Sequence, residues 1–172
     1  MFADGVGESD TGGKLTSLGI EAIAEMERIG MILDVSHISE NGFWHVADVA
    51  KKPFIASHSS MYELQPHPRN LRDNQATRII DGGGFVALNA FGSFLSDTPT
   101  VDSMIDHVEY AVNLVGENNV GFGFDFMKDL IDQVDPVLGK TLVDVSKWPF
   151  IPGLDRPSDL STFGARLLER LG

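Results

Sequence analysis

Cysteine is absent from this 172-residue chain, so no disulfide framework can form and any metal must be held by His, Asp, Glu or water. Basic residues are scarce as well: 13 Lys and Arg stand against 25 Asp and Glu, a net charge of −12 at pH 7. A phosphate backbone or an anionic membrane surface would be repelled, so nucleic acid is excluded and small molecules or other proteins remain as partners. No apolar run approaches the roughly 18 residues of a membrane span. Met1-Phe2-Ala3-Asp4 offers neither a basic n-region nor an apolar h-region, so no secretory signal or anchor is expected and the reading is cytoplasmic. With 42% hydrophobic and 22% charged residues, the composition is that of a soluble globular protein.

What is present is an alternation. Residues 1–14 form a polar, Gly-rich lead. Thr16 or Ser17 can cap a helix carrying Ile20, Ile23, Ala24, Met26 and Ile29 on one face, with Gly30 ending it. Met31 to Val35 then reads as a strand. Ser39 opens a helix through Phe43, Trp44, Val46 and Val49 that Pro53 stops, and Phe54 to Ala56 is a second strand. Asp73 is expected to cap a helix over Ala76, Ile79 and Ile80, closed by Gly82-Gly83-Gly84 before a third strand, Phe85 to Leu88. Thr100 caps a helix from Val101 to Val115, and Val120 to Phe124 is a fourth strand. These apolar runs lack alternation, as in a parallel sheet buried on both faces. Residues 127–158 read as a loop insertion, with Trp148, Pro149 and Pro152-Gly153 draped over the barrel mouth and Asp132 with Asp135 on a solvated surface. Asp159 to Arg170 is helix-like.

The chemistry sits at the strand tips. Leu33-Asp34-Val35-Ser36-His37 and Phe54-Ile55-Ala56-Ser57-His58 end in the same Ser-His word, and Gly121-Phe122-Gly123-Phe124-Asp125 ends in a carboxylate. Parallel β/α units bring such tips to one face, so two imidazoles and an aspartate would converge there as a metal-assisted hydrolytic site. A lone Ser-His at a strand end is more often a capped loop histidine than a ligand, but two of them with a strand-end Asp reverse that preference. His45, His67 and His107 read as packing or surface residues. The triple glycine follows a helix and precedes a strand, the reverse of the order a phosphate cradle needs. Four strands are half of a closed barrel, which needs eight and typically about 250 residues. The fold class expected is therefore α/β, a partial (β/α)8 TIM-type barrel comprising about its last four β/α units, with residues 15–172 as the C-terminal half.

Taken in order, Glu25-Met26-Glu27-Arg28-Ile29-Gly30 through His37, Lys52-Pro53 through Ser60, Pro68-Arg69-Asn70-Leu71-Arg72-Asp73, Gly82-Gly83, Asp106-His107-Val108 and Gly121 through Phe126 closely resemble the membrane (renal) dipeptidase family of zinc metallopeptidases. That resemblance implies a (β/α)8 barrel hydrolysing dipeptides with two zinc ions. It makes His37 and His58 ligands of one zinc, Asp125 the aspartate facing the catalytic water and the substrate amine, and Arg69 with Asn70 the holder of the dipeptide carboxylate. It also implies further ligands, an early His-x-Asp and a bridging glutamate, upstream of Met1. The sequence departs from the family pattern at Asn89-Ala90-Phe91, where a phenolic hydroxyl is common, and at Met127-Lys128 after Phe126. An alternative from another class is a non-catalytic half-barrel that pairs its open edges with a second copy, as a homo-oligomer, or with a complementary N-terminal fragment.

Overall fold

The computed structural model describes residues 1–7, 11–134 and 151–172. Glu8, Asp10, Asp135, Trp148 and Pro149, together with the side chain of Asp132, lie outside that description. Helix α1 (Ser17–Ile29) starts where Thr16 accepts from the Gly19 N–H, and it stops at Gly30, whose φ of 79° lets the Met31 N–H turn back onto the Met26 carbonyl. Strand β1 (Leu33–Asp34), α2 (Glu40–Val49), β2 (Phe54–Ala56), α3 (Asp73–Asp81), β3 (Phe85–Leu88), α4 (Val101–Val115) and β4 (Val120–Phe122) follow. The strands form one parallel sheet in the order β1-β2-β3-β4, with Leu33 opposite Phe54, Ile55 opposite Phe85 and Val86 opposite Val120. Sequential parallel neighbours with a helix in every crossover are the arrangement of a barrel wall. The fold is α/β, a partial TIM-type barrel.

Register decides which side chains meet the helices. Phe54, Ala56, Val86 and Leu88 are buried on the helical face against Phe43, Val46, Ile79, Met104 and Ile105. The opposite face carries Asp34, Ile55 and Phe85, and here the expectation of strands buried on both sides fails: Phe85 is 37% exposed, and Ile32, just before β1, is 65% exposed. The reason is physical. An edge strand has one neighbour, and the inner wall of half a barrel faces no opposing strands among the described residues. Strands β1 and β4 are accordingly shorter than the apolar runs that contain them.

Two further differences are local. Asp73 is the first residue of α3, and the cap position is Arg72, whose N–H donates to Gln75 Oε1 at 2.9 Å. The Asp73 carboxylate instead accepts from the Tyr110 hydroxyl at 2.9 Å, tying α3 to α4. Within the stretch expected as loop insertion, Lys128–Val134 is a helix, α5, and Ile151 and Leu154 are fully buried. Gly153 lies near Val101 at the start of α4, hence at the end of the sheet where the strands point. The last helix, α6 (Leu160–Leu171), sets Phe163 edge-on against Phe122 and Phe124. Among the described residues no helix is long and apolar enough to cross a membrane.

Candidate active site

Strands β1 and β2 pair with Asp34 opposite Ile55. His37 and His58 each lie three residues beyond that pair, so the same offset brings both to the same height above adjacent strands. Their rings meet with centroids 4.9 Å apart and Nε2 atoms 2.8 Å apart. The two Ser-His words thus do what their repetition promised. The His37 carbonyl also accepts from the Val6 N–H at 3.0 Å, so the N-terminal lead braces the first histidine.

Behind the rings lies a carboxylate that sequence reasoning passes over. Asp34 Oδ1 accepts from the Ser36 N–H (3.1 Å), the Ser36 hydroxyl (2.8 Å) and the Ser57 N–H (3.0 Å), while Oδ2 accepts from the Ser57 hydroxyl. Burial alone would raise the Asp34 pKa, but the donors of Ser57 and Ser36 outweigh it and hold the carboxyl below its ordinary value. Ser57 Oγ stands 2.7 Å from His58 Nδ1, and Ser36 Oγ accepts the His58 N–H at 3.0 Å. The sequence signal was the serine preceding each histidine and the aspartate three residues before the first, polar groups that an apolar strand would not otherwise carry to its tip.

Arg69 lies in the loop between β2 and α3, only 8% exposed. Its Nη2 is 3.2 Å from His37 Nε2 and 3.3 Å from the His58 carbonyl, its guanidinium sits 5.6 Å from the Phe94 ring centre, and its Nη1 has no hydrogen-bond partner among the described residues. Burial pulls its pKa down, against the pull of Asp125 and Asp34, yet an arginine stays charged. Asn70, also buried, donates its amide to the Gln65 and Phe94 carbonyls at 2.9 and 2.7 Å and so fastens the Arg69 loop. Asp125, exposed just past β4, has φ 58° and lies close enough to act on both His37 and Arg69. His37 itself is held below its ordinary value by burial, then by Arg69 and His58, with Asp125 and Asp34 opposing. A cavity of about 510 Å³ beside this cluster is lined by Ser36, Arg69, Trp44 and Tyr62 but by neither imidazole. The imidazoles converge outside that cavity.

The other histidines stand apart. His107, fully buried, accepts the Met61 N–H at Nδ1 (3.0 Å) and meets the Leu95 carbonyl through Nε2 (3.1 Å). His45 accepts the Leu15 N–H, and His67 accepts the Arg69 N–H and packs on Phe94. Where a phenolic contact was in question, Asn89 is fully buried and binds the Phe91 N–H, whose ring stacks on Phe94.

The donor chemistry fits a metal in part. At 2.8 Å the two imidazole nitrogens share a hydrogen bond when one ring carries its proton there, and when both are bare they repel unless a cation lies between them. Zinc binds imidazole at about 2.0–2.1 Å, so tetrahedral ligands stand about 3.3 Å apart, reached by opening the pair about half an ångström. Among the described residues no group of three or more His, Cys, Asp or Glu is placed to hold a metal, and the pair by itself would offer only two of the three or four protein ligands usual for zinc.

Comparison with known proteins identifies the family. The family model of membrane dipeptidase (peptidase family M19) matches residues 1–151. An uncharacterized dipeptidase of Schizosaccharomyces pombe is 42% identical over 139 residues, 78% of this chain and 32% of that protein. A dipeptidase of Claviceps purpurea is 37% identical over 138 residues, 78% of this chain and 31% of that one. A solved metallo peptidase from Rhodobacter sphaeroides, liganded with a phosphinate mimic of the dipeptide L-Ala-D-Ala, superposes with a TM-score of 0.79 at 28% identity, over 98% of this chain and 46% of that one. An amidohydrolase from Pseudomonas aeruginosa gives a TM-score of 0.68 at 36% identity, over 74% and 39% of the two chains. This chain thus spans less than half the length of each of these relatives. It belongs to the membrane dipeptidase family, peptidase family M19, a family of metallopeptidases.

Proposed function

We propose that this chain supplies the C-terminal half of a (β/α)8 zinc dipeptidase barrel, with His37 and His58 holding one of two zinc ions. The observation that carries the reading is the convergence of the two Nε2 atoms beside a buried guanidinium whose Nη1 has no partner among the described residues. A buried cation with an unused donor is suited to a carboxylate, so Arg69 receives the free carboxylate of the dipeptide, and Asn70 acts by holding the Arg69 loop. When bound, the metals supply a water acidified toward hydroxide and polarise the scissile carbonyl. Asp125, facing the histidine pair from the end of β4, takes the water proton and passes it to the leaving amine.

Two imidazoles are too few for a tight site, and the remaining ligands belong in this reading to the complementary half of the barrel. Zinc titrated into this chain should therefore bind weakly through His37 and His58, and His37→Ala or His58→Ala should each abolish that binding. The same zinc isotherm in both variants would refute the assignment. The open edges favour a second, compatible role in association, because Ile32 and Met31 at β1 and Phe122 at β4 are exposed apolar surface. Light scattering over a concentration range should show a homo-oligomer, and a stable monomer would remove that role.

A further inference from the structure

We propose that Asp34 is a positioning residue: acting through the Ser57 hydroxyl, it fixes His58 as the tautomer that presents a bare Nε2. The inference rests on the reading of His58 as a metal ligand, but its evidence is the direction of the hydrogen bonds. An ionised carboxylate can only accept. Asp34 is held below its ordinary pKa and takes the hydroxyl protons of both Ser57 and Ser36, so neither hydroxyl has a proton left to give. Ser57 Oγ nevertheless lies 2.7 Å from His58 Nδ1. The proton in that contact must then belong to the ring, and a neutral imidazole has only one.

Nδ1–H therefore leaves Nε2 as a lone pair, and Nε2 is the atom that faces His37. Ser36 completes the arrangement: with its proton given to Asp34, its oxygen accepts the His58 N–H and fixes the backbone beneath the ring. One carboxylate thus sets both the tautomer and the position of a ligand it does not touch, the role that hydrogen-bonded partners of metal-binding histidines commonly play.

Nitrogen-15 NMR of the histidine-labelled, metal-free full chain reads the tautomer directly, at a pH where the imidazoles are neutral, with the His58 signals identified by their loss in His58→Gln. The wild-type chain should show a protonated Nδ1 and a bare Nε2. Asp34→Asn lets an amide donate to Ser57 and reverses the chain of bonds, so the proton should move to Nε2 and zinc affinity should fall about 10- to 100-fold. Ser57→Thr keeps the hydroxyl and should keep the wild-type tautomer. Ser57→Ala should lose it, and adding Asp34→Asn to Ser57→Ala should change the ring no further. A protonated Nε2 in the wild-type chain, or an unchanged His58 spectrum in folded Asp34→Asn, would overturn the proposal. Failure of the metal reading looks different: zinc affinity untouched by His58→Ala while the tautomer still responds to Asp34.

Discussion

Gly123 offers the sharpest test of how tightly the site is built. It sits at the end of β4, where its N–H donates to the Leu88 carbonyl, and a Cβ added there would fall well inside contact distance of the Ser57 carbonyl oxygen and 3.1 Å from His58 Cβ. Both obstacles are backbone or backbone-anchored, so no flexible side chain can swing aside. To restore an ordinary contact of about 3.5 Å, the Ser57-His58 peptide or β4 must retreat by about 1 Å or more. Overpacking of this kind costs about 1–3 kcal/mol, which in a domain of this size lowers Tm by roughly 2–12 °C. The same retreat misaligns the imidazole pair, so in the complete barrel Gly123→Ala should reduce turnover by about 10²-fold, the penalty of an ångström-scale misplacement. Gly164→Ala is the control, since no described residue lies within 4 Å of its added Cβ and alanine favours the α6 interior by about 0.5–1 kcal/mol. Thermal unfolding, with zinc titration of the same samples, gives the answer. If Gly123→Ala retained both wild-type Tm and wild-type zinc binding, the close packing of β4 against His58 would be refuted.

The remaining predictions concern chemistry and pH. Asp125→Asn should keep the fold, because asparagine tolerates the left-handed φ of 58°, while turnover in the complete barrel drops roughly 10²-fold; undiminished turnover would remove Asp125 from proton transfer. Arg69→Ala should raise KM for dipeptides about 10-fold or more and matter far less for substrates lacking a free carboxylate, whereas an equal effect on both would make Arg69 purely structural. His107 is held below its ordinary pKa mainly by burial, with the Leu95 carbonyl and Asp106 opposing. The fold therefore binds fewer protons than the unfolded chain between the depressed value and about 6.5, and stability should fall as pH drops through that window. In His107→Gln, denaturant midpoints followed from pH 7.5 to about 5 should lose part of that slope; an unchanged slope would place the acid sensitivity elsewhere.

Much of the fold was legible because its signals are local. Thr16 and Thr100 cap helices through their own side chains, Gly30 closes α1 in the left-handed conformation, and the apolar runs Phe54–Ala56 and Phe85–Leu88 are strands as expected. Burial of the sheet was misread because it depends on what stands opposite. A strand at an edge and a strand in the middle can carry the same apolar run, and nothing in Met31-Ile32-Leu33 says that only one side has a neighbour. Asp73 misled for a related reason: it has the chemistry of a cap, but Tyr110, 37 residues later, claims its carboxylate.

The site divides along the same line. Repetition of Ser-His, at an equal offset from a registered pair of strands, is a pattern that survives in one dimension, and it leads directly to the meeting of His37 and His58. The part played by Asp34 does not survive there. It rests on contacts through Ser36 and Ser57 that form only when β1 and β2 lie side by side. Arg69 is intermediate: without the family resemblance its motif reads as loop chemistry, and only the fold shows that it is buried against His37 and the His58 carbonyl with an Nη1 that has no partner among the described residues. A donor left unsatisfied in the interior costs about 1–3 kcal/mol or more, which is why an Nη1 without a partner among the described residues is, in the proposed reading, the place for a carboxylate.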